Sequence, residues 1–437
     1  MIWTDTGAAL SWGRRPKARH AVARPVFGDE TMGLLDPAGP AVLPRGLGRS
    51  YGDSGLNDGG RLIDMTGLDR FIGADWSTGR VRAQAGLSLE ALINAGLWHG
   101  WFPATVPGTR YVTLGGAVAN DVHGKNHQGA GTFGTHVTAL HLLRSDGSPQ
   151  RLTPGDPLFA ATVGGLGLTG LITEVELQLS PVPSGWIDTI DVPFDTVEDF
   201  FALSAAAEGR YEHTVAWVDV CGRKAGRGIF SQGNWAARAP REIVLGPPRM
   251  AMPLDAPGFA LNPVTLRAFN ALYYRAKAAK GRRMQRVRAD VFWFPLDAVR
   301  GWNRMYGKAG FYQYQCVVPP GAAVDATRAL LKAIADARQG SFLAVLKTFG
   351  DRPSPGVMSF PMPGATLALD FPDKGADTLA LFARLDAIVA EAGGRLYPAK
   401  DGRMPAEMFR RGYPGWEEVE RLRDPAIMSD FWRRVTR

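Results

Sequence analysis

Two glycine-rich segments in the first third of the chain carry the residue types that hold an anion. The first is Pro44–Asp53 (PRGLGRSYGD), in which glycines at 46, 48 and 52 alternate with Arg45, Arg49 and Ser50. Glycine lets successive backbone N–H groups point at one anion, and Arg and Ser side chains add further donors. No Gly-Lys-Ser/Thr follows, as a P-loop needs, and no long helix opens after it, as a Rossmann motif needs. The segment predicts a phosphate cradle, with a glycine-rich surface turn as the alternative.

The second segment, 107–127 (PGTRYVTLGGAVANDVHGKNH), brings glycines and polar side chains together. His123 and His127 are four residues apart, but Gly124 and Asn126 disfavour the helix that would pair them on a metal. No third ligand is near, so no metal site is predicted. A third segment, 156–173, predicts a short helix that runs into a turn with four glycines and then a strand.

Together, these segments resemble the flavin-dependent oxidases and dehydrogenases of the vanillyl-alcohol-oxidase family, which have a PCMH-type FAD-binding domain. The stretches RGLGRSYGD, ANDVHGKNH and GGRLYPAKD (393–401) are most similar to the decaprenylphosphoryl-β-D-ribose 2′-oxidase branch. The resemblance extends over about 40–430. It implies an FAD cofactor, a substrate hydroxyl beside the flavin and an oxidoreductase activity.

The resemblance also implies which residues contact the cofactor. His123 stands where some members of the wider family attach flavin covalently, but this branch resembles those with dissociable FAD, so non-covalent binding is expected. The implied cofactor-binding residues are Arg45, Gly46, Gly48, Arg49, Ser50, Tyr51, Gly52, Asp53, Gly108, Thr113, Leu114, Gly115, Gly116, Asn120, His123, Ile172 and Tyr397.

Lys400, His123 and Lys125 are the implied catalytic residues. Oxidation of a secondary alcohol moves a hydride to flavin N5 while the hydroxyl proton leaves. A lysine in a dry pocket either acts as the base or stays charged and stabilises the alkoxide, and the sequence leaves both roles open for Lys400. The implied substrate residues are Trp217, Tyr306, Gln313, Gln315, Lys347, Thr366 and Ala368. Ala368 stands where mycobacterial members carry a cysteine, and Thr366 also replaces a polar residue, so we expect a pocket of different shape.

The expected reaction is oxidation of C2 of a polyprenyl-phosphate pentose to a keto sugar, the first half of a 2′-epimerisation. The implied partners are the lipid-linked sugar, a short-chain reductase that completes the epimerisation, and quinone or oxygen as electron acceptor. Two alternatives stay open. One is an oxidase of a soluble polyol or aldonolactone, and the other is a flavoprotein-like scaffold without catalysis, which the intact Lys400 and His123 disfavour.

The elements that must position these residues predict an α+β fold. The resemblance implies a two-subdomain FAD-binding domain at 1–182 and a C-terminal segment, 396–437, that returns to it. The order of strands and helices predicts a substrate domain with an antiparallel sheet flanked by helices at 183–395. The hydrophobic pattern predicts strands at 81–86, 137–144, 171–179, 213–220, 288–294, 311–318, 342–349 and 365–371. Helices are predicted after Ser88, after Thr196, at 324–337 and at 377–392.

Composition excludes several classes of protein. The chain has 437 residues, 45% of them hydrophobic, which is enough for a full core, and two cysteines, which exclude a disulfide scaffold. Its apolar stretches are too short to span a membrane, and Arg14-Arg15 precedes no apolar export signal, so a cytoplasmic protein is expected.

Net charge is +8, and residues 275–288 (RAKAAKGRRMQRVR) form a basic run. We interpret the run as a solvated surface loop, with contact to lipid head groups of the inner membrane or to a phosphorylated substrate as the alternative. Nucleic acid is disfavoured, because no recognisable nucleic-acid module accompanies the run.

Overall fold

The structure is a computed structural model that describes residues 3–6, 10–221, 226–240 and 244–437. A small sheet of order β1-β2-β4-β3 opens the chain. Its strands are β1 (Thr4–Thr6), β2 (His20–Ala23), β3 (Val42–Arg45) and β4 (Arg61–Asp64). Strand β4 runs parallel to both β2 and β3. The first glycine-rich segment begins in the last two residues of β3 and continues as the loop that follows this strand.

A second sheet has five antiparallel strands in the order β5-β6-β10-β8-β9. They are β5 (Phe71–Asp75), β6 (Arg80–Gln84), β8 (Val137–Leu143), β9 (Pro149–Leu152) and β10 (Leu171–Gln178), while β7 (Trp101–Phe102) pairs separately with β11 (Ser180–Pro181). The strands predicted at 81–86, 137–144 and 171–179 are confirmed. Gly147 has φ +80° in the turn between β8 and β9, a conformation that suits glycine.

Four short helices accompany this sheet: α1 (Leu89–Trp98), α2 (Leu114–Ala119), α3 (His127–Ala130) and α4 (Pro157–Thr162). The predicted cap of α1 is confirmed, because Ala91 N donates to Ser88 Oγ at 3.1 Å. Thr113 caps α2 in the same way, accepting from Gly116 N at 3.1 Å. The cap fixes the first turn of α2, which contains two glycines of the second segment.

The largest sheet has eight antiparallel strands in the order β16-β12-β14-β13-β19-β20-β18-β21. They are β12 (Trp186–Phe194), β13 (His213–Val218), β14 (Gly228–Trp235), β16 (Met284–Arg288), β18 (Phe311–Val318), β19 (Ala344–Phe349), β20 (Gly364–Pro372) and β21 (Arg395–Leu396). A separate parallel pair joins β15 (Met250–Ala251) to β17 (Val299–Arg300). The accompanying helices are α5 (Val197–Ala207), α6 (Pro263–Ala278), α7 (Ala289–Trp293), α8 (Ala323–Asp336) and α9 (Ala376–Glu391).

The two faces of the eight-stranded sheet differ in chemistry. Side chains alternate between the faces of a strand. In β20, Leu367 and Leu369 join the apolar core with α8 and α9, whereas Thr366 and Ala368 line a cavity on the other face. Strands β13, β18 and β19 alternate in the same sense. Helices α5, α8 and α9 therefore cover one face, and the opposite face presents the polar residues. The α+β fold class is as predicted.

Two sequence predictions were wrong, and both concern the stretch before Pro295. The strand predicted at 288–294 is the helix α7, and the nearby strand β16 ends at Arg288. Burial of Phe292 and Trp293 in the apolar core against the five-stranded sheet, the second core of the chain, overrides their strand propensity. The basic run 275–288 is not a loop, because it consists of the end of α6, a turn and β16. Several of its charges are held in ion pairs that a free loop would lack.

Three helices end the chain: α10 (Ala406–Gly412), α11 (Trp416–Leu422) and α12 (Asp430–Thr436). Their segment attaches to strand β3, since Val42 N donates to Ala426 O at 2.9 Å and Met428 N donates to Val42 O at 3.0 Å. Arg434 Nη2 also lies 2.8 Å from Asp53 Oδ1. These contacts hold the C-terminal segment beside the first glycine-rich loop.

Candidate active site

A cavity of roughly 820 Å³ lies between the glycine-rich loops and the polar face of the eight-stranded sheet. It brings together residues that are nearly 350 positions apart in the chain, because Tyr51 N donates to Ala399 O at 2.9 Å. The predicted site residues that line it are Arg45, Gly46, Gly48, Arg49, Ser50, Tyr51, Gly52, Gly108, Thr113, Gly115, Gly116, Asn120, His123, Lys125, Ile172, Trp217, Gln313, Gln315, Lys347, Thr366, Ala368, Tyr397 and Lys400.

Three predicted site residues do not line this cavity. Asp53 is turned to the C-terminal helix α12, where it pairs with Arg434. Leu114 is fully buried in the core beneath α2. Tyr306 is buried behind the wall, with its ring stacked 4.1 Å from that of Phe311. Each supports a neighbour of the cavity from behind.

The end of the cavity beside β3 has the composition of an anion site. Burial lowers the pKa of both Arg45 and Arg49, although a guanidinium stays charged. Arg49 lies over the Trp12 ring, 4.4 Å from its centroid. Gly48 has φ +64°, which turns the loop back between the two arginines. Two partly desolvated cations and an exposed glycine backbone together suit a phosphate or pyrophosphate.

The glycines of the first loop serve chain contacts as well as ligand access. A Cβ atom on Gly46 would overlap the Thr113 side chain, and one on Gly52 would overlap the main chain of Asp401. Close approach at these two points joins the first glycine-rich segment to the second and to the C-terminal segment. Gly116 differs, because a Cβ atom on it would meet only Thr113 Oγ1, at 3.0 Å. Gly116 has a helical backbone, so glycine is not needed here for a positive φ. What distinguishes the position is the open space of the cavity beside it.

His123 is a neutral histidine in the wall. Burial lowers its pKa well below the usual range, and the nearby Lys347 charge lowers it further. Gln315 Nε2 donates to His123 Nε2 at 3.1 Å, so the ring proton lies on Nδ1. Among the described residues, neither His123 Nδ1 nor the buried Oγ of Ser54, which also lines the cavity, has a hydrogen-bond partner. Two unsatisfied polar groups in the wall favour a polar ligand there.

Three half-buried lysines line the cavity. Burial lowers the pKa of Lys125 to about 7 and that of Lys347 to about 8. Lys125 Nζ donates to the carbonyl of Phe292 and contacts the Phe292 ring, 4.6 Å from its centroid, and Lys347 Nζ donates to Gly124 O at 3.2 Å. Burial also lowers the pKa of Lys400, whose Nζ lies 3.8 Å from the centroid of the Tyr51 ring. All three can exchange a proton near neutral pH more readily than a surface lysine.

Asp370, which is buried behind the cavity wall, is a charged neighbour of Lys400 that the sequence analysis missed. The carboxyl group is fully buried, and Gln313 Nε2 donates to its Oδ1 at 2.6 Å while the Tyr306 hydroxyl lies 3.4 Å from Oδ2. Burial raises the pKa of Asp370, and the Lys400 charge lowers it again. Strand alternation was the available signal, because Thr366 and Ala368 predict that position 370 faces the same side. Asp370 and Lys400 therefore titrate as a pair.

Replacement of Asp370 should move the pH dependence of the site. The Asp370 charge raises the pKa of Lys400 against the effect of burial, so Asp370→Asn should lower that pKa. The limb of the pH–rate profile that follows Lys400 should shift to lower pH by roughly one unit or more. The measurement is the rate of cofactor reduction by substrate between pH 5 and 10.

The same profile separates the two roles of Lys400. A wild-type rate that rises with pH through this limb indicates a neutral lysine acting as base, and a falling rate indicates a charged lysine. Tyr306→Phe is the control, since it removes the 3.4 Å contact with Asp370 and no charge. An unshifted limb in Asp370→Asn would assign the titration to another group.

Comparison with known proteins identifies the cofactor and the family. A family model described as an FAD binding domain matches residues 30–153. The decaprenylphosphoryl-beta-D-ribose oxidase of Mycolicibacterium smegmatis is 37% identical over 99% of this chain and 98% of its own length. The chain belongs to the decaprenylphosphoryl-ribose oxidase family. As a member it is an FAD-dependent oxidoreductase that acts on CH–OH groups.

Two other relatives are similar to this chain over part of its length. The L-gulono-1,4-lactone dehydrogenase of Mycobacterium tuberculosis is 30% identical over 41% of this chain and 41% of its own length. The alditol oxidase of a Streptomyces species is 24% identical over 40% of this chain and 42% of its own. The decaprenylphosphoryl-ribose oxidase match, in contrast, includes both the glycine-rich loops and the eight-stranded sheet.

The wall residues fit FAD. Arg45, Arg49 and the glycine backbone supply donors for a pyrophosphate, and the unpartnered Ser54 Oγ supplies a further polar contact. We expect FAD to bind without a covalent bond, because His123 is neutral and its Nε2 is already held by Gln315. Acid precipitation should release all of the flavin into the supernatant. Flavin that stays with the pellet, and is lost from it in His123→Ala, would contradict this expectation.

Proposed function

We propose that this enzyme oxidises the C2 hydroxyl of a polyprenyl-phosphate pentose to a keto sugar, the first half of a 2′-epimerisation. The observation that carries the proposal is the 37% identity, over nearly all of both chains, to an enzyme named for oxidation of decaprenylphosphoryl-ribose. The residues that surround the middle of the cavity support the same chemistry.

Each part of the cavity has a role in this proposal. The end with Arg45 and Arg49 holds FAD, which when bound supplies the hydride acceptor. Lys400 takes the hydroxyl proton or stabilises the oxyanion, and Asp370 sets its charge. Gln313 and Gln315 project from β18 toward the same space and can orient sugar hydroxyls. Asp370 and Gln315 are buried and Lys400 and Gln313 are half-buried, which limits the access of water to the reacting groups.

The wall on the α6 side suits an anionic group attached to the sugar. Lys277 lines the cavity there, 2.8 Å from Asp191 Oδ2, and the nearby Tyr273 ring lies 4.8 Å from that of Trp217. We infer that the substrate phosphate meets Lys277 while the pentose reaches Lys400.

The keto product and the reduced flavin each need a further reaction. We propose that a reductase of the short-chain type reduces the keto group from the opposite face, and that quinone or oxygen reoxidises the flavin. Under this proposal the enzyme works in the cytoplasm at the inner membrane, where a lipid-linked substrate is accessible.

Anaerobic bleaching of the flavin tests the proposal. The purified enzyme is mixed with polyprenyl-phospho-pentoses of different chain length and pentose, with free polyols and with aldonolactones, and the flavin absorbance is followed. We expect fast bleaching by the phospho-pentoses alone. Bleaching by a free polyol or an aldonolactone at an equal or higher rate would overturn the proposal in favour of a soluble-sugar oxidase.

A further inference from the structure

We propose that the outer face of helix α6 and the apolar residues beside it form a docking surface for an anionic lipid membrane, at the entrance to the cavity. The inference rests on the proposed function and names the surface from which the lipid substrate enters. The docking surface consists of Leu254, Phe259, Val264, Phe269, Leu272 and Met284. All six side chains are exposed.

The apolar exposure is concentrated in one part of the chain. Among the described residues, nine of the 17 exposed large apolar side chains lie between 244 and 291. On α6, Val264 is 72% exposed and Leu272 is 70% exposed. Positions 264, 268 and 272 are four apart and share a helix face, and such a row normally points into a core. A face of this kind that points to solvent indicates an interaction surface.

The positive charge of this region indicates that the partner of the docking surface is anionic. Residues 256–289 contain eight Lys and Arg residues and no Asp or Glu, so this segment alone carries a charge equal to the +8 of the whole chain. Three of the cations are held by Asp191, Asp188 and Asp290.

The remaining cations surround the apolar row. Arg267, Arg275, Lys280, Arg282 and Arg283 are exposed and have no ion pair among the described residues. Apolar side chains between unpaired cations match the interior and the head groups of an anionic bilayer, and a basic amphipathic helix binds such a surface in its plane.

Helix α6 also forms a wall of the cavity. Its inner face contributes Tyr273 and Lys277 to the lining, and the Tyr273 ring lies 4.8 Å from that of Trp217. The helix has a diameter of about 10 Å, so a lipid at its outer face is one helix width from the cavity. No helix within the described ranges is long and apolar enough to cross a membrane. Docking through α6 supplies a route for a long prenyl chain that the buried sugar site cannot accommodate.

Vesicle flotation of the FAD-loaded protein tests the surface. The probes are phosphatidylcholine vesicles with and without about one third phosphatidylglycerol, at low and at physiological salt. We expect the protein to float with the anionic vesicles alone. Leu272→Ser should weaken binding at least tenfold, because transfer of one leucine side chain from water to an apolar phase is worth roughly a tenfold change or more. The fourfold variant Arg275→Gln, Lys280→Gln, Arg282→Gln, Arg283→Gln should also weaken it at least tenfold, because one basic residue near such a surface is worth roughly a fivefold change.

Matched controls remove similar groups elsewhere. Leu379→Ser removes an exposed leucine of α9, and the variant Lys17→Gln, Arg19→Gln, Lys332→Gln, Lys374→Gln removes four exposed cations outside the surface. Both should float like wild type. Equal loss in the controls and the test variants would overturn the proposal, as would a wild-type protein that stays in solution. Burial of Leu272 in a complex with a reductase, without any vesicle binding, would also overturn the proposal, in favour of a protein partner.

A second measurement separates this proposal from the proposed function. Bleaching by a water-soluble short-chain prenyl-phospho-pentose should be equal in wild type and Leu272→Ser, whereas bleaching by a substrate embedded in vesicles should slow in the variant. Failure of all bleaching with intact flotation would contradict the proposed function and leave the docking surface standing. Equal rates with embedded substrate would overturn the entry route.

Discussion

The variant Gly116→Val should yield a colourless protein without bound FAD. Gly116 lies in the first turn of α2 and lines the cavity, and a Cβ atom at this position would already lie 3.0 Å from Thr113 Oγ1. The two additional methyl groups of valine have room only toward the space that the cofactor needs. Valine is a slightly better helix former than glycine, by a few tenths of a kcal/mol, so loss of flavin would not follow from a weaker helix.

The ratio of flavin absorbance to protein absorbance measures the effect. Gly116→Ala should retain part of the flavin, because one methyl group fills less of the space. Gly129→Val is the matched control, since Gly129 lies in α3, is exposed, and a Cβ atom on it would meet no atom within 4 Å. A far-UV spectrum that is unchanged in all variants shows that the fold persists. Normal flavin content in Gly116→Val would remove this position from the cofactor site.

The sequence predicted the chemistry of the site better than it predicted the chain contacts that assemble the site. The motifs around Arg45, His123 and Lys400 indicated an FAD enzyme through their resemblance to a known family, whereas residue types and spacing alone indicated only a phosphate cradle at Arg45. That Gly52 permits contact with Asp401 could not be predicted, since the contact joins segments about 350 residues apart. The glycines of the first segment serve both cofactor binding and contacts with distant parts of the chain. Only the folded structure shows which glycine serves which purpose.

The errors have a common physical cause. Phe292 and Trp293 have high strand propensity, but burial against the second core favours the short helix α7. The basic run was interpreted as a loop from its charge, whereas Lys277 and Arg286 are held by Asp191 and Asp188 on β12. Tertiary partners decided both cases, and local sequence carries little information about them.

Asp370 shows what strand periodicity can add. A single acid in an apolar strand is easily dismissed as an exception in the core, yet residues 366 and 368 had already been assigned to the substrate side. Alternation then places the carboxyl group opposite Gln313, its partner in the register of β18 and β20. A buried acid beside a half-buried lysine is a pattern typical of sites that move protons.

The variant Lys400→Ala should slow reduction of the flavin by substrate by roughly 10²- to 10⁴-fold, the usual contribution of general acid–base catalysis. Either role of the lysine is lost, the base or the charge that stabilises the oxyanion. The remaining carboxyl of Asp370 is fully buried, so without its cationic neighbour its pKa should rise and the group should become neutral. A neutral Asp370 avoids an unpaired buried charge, and the fold should persist with near-normal flavin content.

Single-turnover bleaching without oxygen is the decisive measurement for Lys400. Lys400→Arg should rescue poorly, because a guanidinium cannot act as a base and its planar group is larger than the ammonium that now lies over the Tyr51 ring. Lys125→Ala provides the comparison, since the Lys125 ammonium is already held by backbone carbonyls and should contribute less to the proton transfer. If Lys400→Ala bleaches within a few-fold of wild type while Lys125→Ala does not, the proton passes to Lys125 and the assignment of Lys400 is wrong.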